Sequence, residues 1–109
     1  MKAEPITKDQ VLAELQWHIG HAYGMTAQEC ARRLGISERR LRLFVSQLRE
    51  DGIAVCGTPE TGYFIAETSD ELDQCCHFLR SRAMHSLVLE SRLRKIPLPD
   101  LIGQLKLPT

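Results

Sequence analysis

Apolar residues in the first third of the chain fall at helical spacing, broken by residues that start and stop helices. Val11, Leu12, Leu15 and Ile19 recur at steps of three and four, which puts them on one helix face. Thr7 and Gln10 form a capping box before them and Gly20 a stop after them, so a first helix is expected over about 8–19. A second capping box, Thr26 to Glu29, with Met25 and Cys30 spaced as an apolar staple, opens a second helix. It ends at Leu34 because Gly35 can take the left-handed conformation. Ser37 caps a third helix, from Glu38 to about Asp51, which Gly52 ends in the same way. The period then changes. Residues 53–56 and 63–66 are short apolar and aromatic runs flanking residues 57–62, the pattern of a β-hairpin with a six-residue tip. From Tyr63 to Pro97 there is no further glycine or proline. Ser69 or Asp70 is the expected cap of one long helix over about 70–95, roughly 40 Å at ~1.5 Å per residue. The tail, 96–109, sets Pro97, Pro99 and Pro108 around Leu98, Leu101, Ile102 and Leu105 and reads as a short amphipathic turn.

The expected fold class is mostly α with a small β-hairpin. The second and third helices are joined by about three residues, which forces a sharp crossing rather than an antiparallel hairpin. Ala31 is small where the helices approach, Gly35 permits the turn, Ile36 plugs the angle, and Leu41 and Phe44 seat the third helix. Helix, helix-turn-helix and hairpin follow one another in the order of a winged helix. Over Thr7 to Ala66 the chain resembles the winged-helix modules at the N-terminus of the biotin operon repressor and of DeoR-like regulators, the type 11 helix-turn-helix. The resembling stretches are residues 25–37, 48–53 and 62–65. The resemblance implies a DNA-binding regulator with residues 1–68 as the DNA-binding domain. Residues 69–109, a long helix and tail, are similar to those of small prophage-type winged-helix proteins and form the expected dimerisation element.

On a helical wheel Leu41, Phe44, Val45 and Leu48 share the core face of the third helix. The other faces carry Arg39, Arg40, Leu43 and Gln47, the candidate base readers. Arginine can pair bidentately with guanine, glutamine with adenine, and leucine can meet a thymine methyl. Arg32, Arg33, Arg42, Ser46 and Arg49 are the candidate phosphate contacts, which position without reading sequence.

Composition changes the picture only once it is resolved along the chain. The 109 residues are 43% hydrophobic, 26% charged and 6% aromatic, one ordinary globular domain with little room for an enzyme cleft. Fourteen basic and fourteen acidic residues give zero net charge. Residues 32–49, however, hold six arginines against Glu38 alone, a local +5 offset by −5 elsewhere. Such a patch can attract a polyanion because charges beyond ~10 Å are screened. The hairpin tip offers Glu60 and no base, so it is expected to stay off DNA, and weak binding per chain makes two copies on two half-sites the natural remedy.

The long helix supplies a seam for the second copy. Leu72, Cys75, Cys76, Leu79, Ala83 and Leu87 form a stripe that Met84, Val88 and Leu93 widen or continue, and Leu79, Ala83, Met84, Leu87 and Val88 are the expected interface of an antiparallel homodimer. Arg80, Arg82, Arg92, Arg94 and Lys95 read as a solvated face. No metal, cofactor or small-molecule ligand is expected. Cys30, Cys56, Cys75 and Cys76 read as small buried apolar groups, and no pair with His18, His21, His77 or His85 has finger spacing. No oxyanion loop or phosphate-cradling glycine loop is present, so no enzyme is expected. No apolar run suggests a membrane span or signal segment, which makes the cytoplasm the expected compartment. The rival to a transcriptional regulator is a protein-interaction winged helix that docks through Leu43, the acidic wing and the apolar tail from Leu98 to Leu107, or a phage replication or transposition accessory without strong sequence-specific DNA binding.

Overall fold

The computed structural model describes residues 5–105. Among them are α1 (Lys8–Leu15), a single 3-10 turn (His21–Tyr23), α2 (Ala27–Leu34), α3 (Glu38–Glu50), β1 (Val55–Thr58), β2 (Gly62–Ile65), α4 (Ser69–Arg94) and α5 (Leu98–Leu105). The fold is mostly helical, five α-helices with one small antiparallel sheet. The chain divides into two compact units, Met1–Cys75 and Cys76–Thr109, with the boundary inside α4.

In the first unit α1 opens on a complete capping box, the Thr7 hydroxyl accepting from the Gln10 amide and the Gln10 side chain accepting from the Thr7 amide. The helix stops at Leu15, four residues short of the expected Ile19, because the sheet edge competes for its backbone. The Ile65 amide donates to the His18 carbonyl at 2.8 Å and the Gly20 amide to the Ile65 carbonyl at 2.8 Å. Met25 and Tyr63 then exchange both amide bonds. The segment between α1 and α2 is thus laid along β2, and Ile19 leaves the core face to stand 46% exposed.

Thr26 caps α2, but only half of the expected box forms, since the Glu29 carboxylate takes Arg32 instead. Gly35, at φ 69°, ends the helix. Its amide donates to Arg32 and the Ile36 amide to Ala31, a Schellman stop. Ser37 immediately caps α3. The core collects Val11 and Leu15 from α1, Cys30 and Ala31 from α2, Leu41, Val45 and Leu48 from α3, and Val55 from β1. Each large side chain among them contributes ~1.5–3 kcal/mol by burial. Phe44, expected on the core face, is only half-buried at its margin.

The hairpin tip is shorter than the expected 57–62. Pairing runs to Thr58 opposite Gly62, leaving three residues in the loop. The Thr58 and Thr61 hydroxyls lie 3.0 Å apart, and each accepts from the other residue's amide. Gly62, the first residue of β2, has φ 72°, a left-handed conformation that favours glycine. Thr68, rather than Ser69 or Asp70, caps α4, its hydroxyl accepting from the Glu71 amide.

In the second unit α4 ends in another Schellman stop, Lys95 to Arg92 and Ile96 to Ser91, with Lys95 itself left-handed at φ 57°. The tail expected as a turn forms the two-turn helix α5. The Pro97 carbonyl accepts from Asp100 and Leu101, and Pro99 falls in the first turn, where its missing amide costs nothing. Leu101 is buried. Leu107 and Pro108 of the expected tail lie outside the described residues. Of the cysteines expected to be buried, Cys30 and Cys56 are; Cys75 is half-buried and Cys76 exposed, because successive helical residues point about 100° apart and one neighbour must turn outward.

Candidate nucleic-acid interface

The short Gly35-Ile36 turn and the Ser37 cap fix where α3 begins, and burial of Leu41, Val45 and Leu48 fixes which way it faces. Arg39, Leu43 and Ser46 stand outward and exposed, flanked by exposed Arg40 and Arg42 and half-buried Gln47. Leu43 is 59% exposed. The Arg40 guanidinium lies 5.6 Å from the centroid of the Phe44 ring, a stacking contact that holds it along the helix. Glu50 ends the same outward face.

The structure separates the six arginines by what already holds them. Arg32 grips Glu29 with two bonds, at 2.5 and 3.0 Å. That guanidinium draws the Glu29 carboxyl below its ordinary value, and the carboxylate raises Arg32 in return. Arg33 Nε lies 3.0 Å from Oε1 of the mostly covered Glu14 on α1. Arg42 is 3.8 Å from Glu38. Arg49 Nε donates to the Val55 carbonyl at 2.8 Å, fastening α3 to β1. Arg39 and Arg40 have no acidic partner among the described residues. Glu14 and Glu29 lie outside the 32–49 window, so a charge tally over that window cannot see them. An exposed pair such as Arg32–Glu29 is screened by solvent and adds little stability, so a phosphate can displace it, whereas Arg49 is committed to the fold.

Two features escaped the sequence reading. One is the carboxylate of Glu71, which accepts from the His21 amide at 2.8 Å, from His21 Nδ1 at 2.5 Å and from the Glu67 amide at 2.8 Å. These amide bonds, with His21, pull the carboxyl down to about 2. A cleft of about 360 Å³ beside it is lined by His21, Tyr23, Glu67, Asp70 and Gln74 among others. The Thr68-x-x-Glu71 spacing is the signal in the sequence, one residue before the expected cap at Ser69 or Asp70. The other is Trp17, 83% exposed, with Tyr23 also exposed, which follows from the early end of α1.

No family model, curated protein or solved structure matches this chain. The chemistry must therefore be read from the side chains. The outward face of α3 presents guanidinium donors, an amide, a hydroxyl and one exposed leucine. Among the described residues no three metal-ligating side chains stand together, and no helix is long and apolar enough to cross a membrane.

In the second unit the expected seam residues are unequally placed. Leu79, Ala83 and Met84 are exposed, while Leu87 and Val88 are half-buried.

Proposed function

We propose that the first unit is a winged helix-turn-helix module that binds double-stranded DNA with α3 in the major groove, and that the protein acts as a homodimeric transcriptional regulator. The observation that carries the reading is the outward face of α3. Arg39 and Arg40 there are free of acidic partners among the described residues, Leu43 is open to solvent, and the face sits on a helix held by a three-residue turn and followed by a hairpin. Free guanidinium groups beside an exposed apolar side chain suit a groove floor that offers guanine acceptors and thymine methyls. Arg39, Arg40, Leu43 and Gln47 read bases in this arrangement. Arg42 and Ser46 meet phosphates, joined by Arg32 and Arg33 once they exchange their glutamates, and Arg49 adds its charge without leaving Val55.

Titrating mixed duplex DNA at several salt concentrations tests the proposal. Binding that falls steeply with salt, and that weakens at least tenfold in Arg39→Ala with Arg40→Ala, is the expected result. Absence of binding at low salt would overturn it.

The pairing of Arg32 and Arg33 with glutamates, together with Glu60 at the hairpin tip, favours a second reading as a protein-docking winged helix. In that case Leu43→Glu abolishes partner capture while the arginine substitutions are silent.

A further inference from the structure

We propose that the solvent face of α4 in the second unit is a self-pairing surface, seated antiparallel on the same face of a second copy of this chain. The homodimer of the DNA-binding reading is thereby given a specific seam, and for that purpose the proposal rests on that reading.

Leu72, Leu79, Ser86 and Leu93 recur every seven residues, and Cys75, Arg82 and Leu89 each follow three residues after one of them. That alternation of four and three is the period of a helix that pairs with another helix along its length. In the second unit the seam is open. Phe78, Leu79, Leu89 and Leu93 are 47%, 41%, 47% and 84% exposed. The covered positions of this stretch are elsewhere on the helix, at half-buried Leu87 and Val88 and buried Ser91. The seam therefore keeps Leu79 and Leu93 from the stripe expected on sequence and turns away from Ala83, Met84, Leu87 and Val88 towards Leu89.

Leu101 is the buried apolar residue among the described part of this unit. Covering the exposed parts of the four large side chains removes on the order of 400 Å² of apolar surface per copy. That is about half of the ~800 Å² per partner in a stable complex, close to the apolar share such interfaces have.

Charge selects the direction. An in-register parallel pair would set Arg82 against Arg82 of the second copy, like charges facing across the seam. Placing Leu79 against Leu89 of an antiparallel second copy instead puts Arg82 opposite Ser86, a long side chain facing a short one.

Sedimentation equilibrium at tens of micromolar, without DNA, is expected to give twice 12.4 kDa. Leu79→Glu with Leu89→Glu is expected to return it to 12.4 kDa with unchanged circular dichroism, and Met84→Glu to leave the dimer intact. In a Cys76→Ser background, Leu79→Cys and Leu89→Cys chains should cross-link when mixed, and neither with itself. A wild-type monomer, a dimer indifferent to the double substitution, a dimer lost in Met84→Glu, or self-linking of either cysteine variant overturns the proposal. None of these readouts involves DNA, so they stand or fall separately from base reading by Arg39.

Discussion

Glu71 shows how one side chain can fasten three segments of the first unit. Its carboxylate satisfies the amides of His21 and Glu67 and meets the His21 ring, and its own amide completes the cap of α4. With the folded value held at about 2 against an ordinary 4.5, this stabilisation is fully present above pH 4.5 and drains away as pH falls towards 2. Thermal melts from pH 7 to 2 are expected to show Glu71→Gln less stable than wild type at pH 7, with the gap closing below pH 4.5. The cysteines divide by burial in a similar way. Desolvation pushes the Cys30 thiol up to about 11 and that of Cys56, beside Cys75, up to about 12. Since the thiolate is the reactive form, brief alkylation of the folded protein followed by mass mapping should find Cys76 modified first and Cys30 and Cys56 untouched. Lys95 occupies a left-handed position without being glycine. Lys95→Gly is expected to stabilise the chain by about 1 kcal/mol, read as a rise in melting temperature.

At the scale of elements, the helix boundaries set by local chemistry were legible. Thr7, Thr26 and Ser37 cap the helices they were expected to cap, and Gly35 and Gly52 end theirs. Boundaries decided by a distant segment were not. The end of α1 depends on β2, some fifty residues later, which claims the backbone of His18 and Gly20. The same crowding makes two glycines irreplaceable. A Cβ at Gly24 would strike the Thr61 carbonyl, and one at Gly62 the Met25 backbone, in a residue already at positive φ. Gly62→Ala is therefore expected to cost about 3 kcal/mol in denaturant melts, against a small effect for alanine at Gly103, where nothing lies near.

For the whole molecule, zero net charge says little, because the +5 of residues 32–49 is itself partly spent inside the fold. Glu14 and Glu29 answer two of the arginines, and Arg49 is turned to a backbone carbonyl. Under the proposed function the logarithm of the DNA affinity should fall with the logarithm of salt at a slope of about −3 to −5 per chain, as for a handful of neutralised phosphates. Arg33→Ala, which removes one of those contacts, is expected to flatten that slope by about one. An unchanged slope in Arg33→Ala would mean that Arg33 takes no part.

By itself, the sequence determined the order of elements, the caps, the short turn between α2 and α3 and the face that α3 buries. All of these follow from spacing and capping within a few residues. Tertiary structure alone decided where α1 stops, which arginines remain free, that Glu71 gathers three segments, and which side of α4 stays open. Each of those depends on groups distant in sequence that compete for one backbone amide, one carboxylate or one patch of surface, and no local pattern records the outcome of that competition.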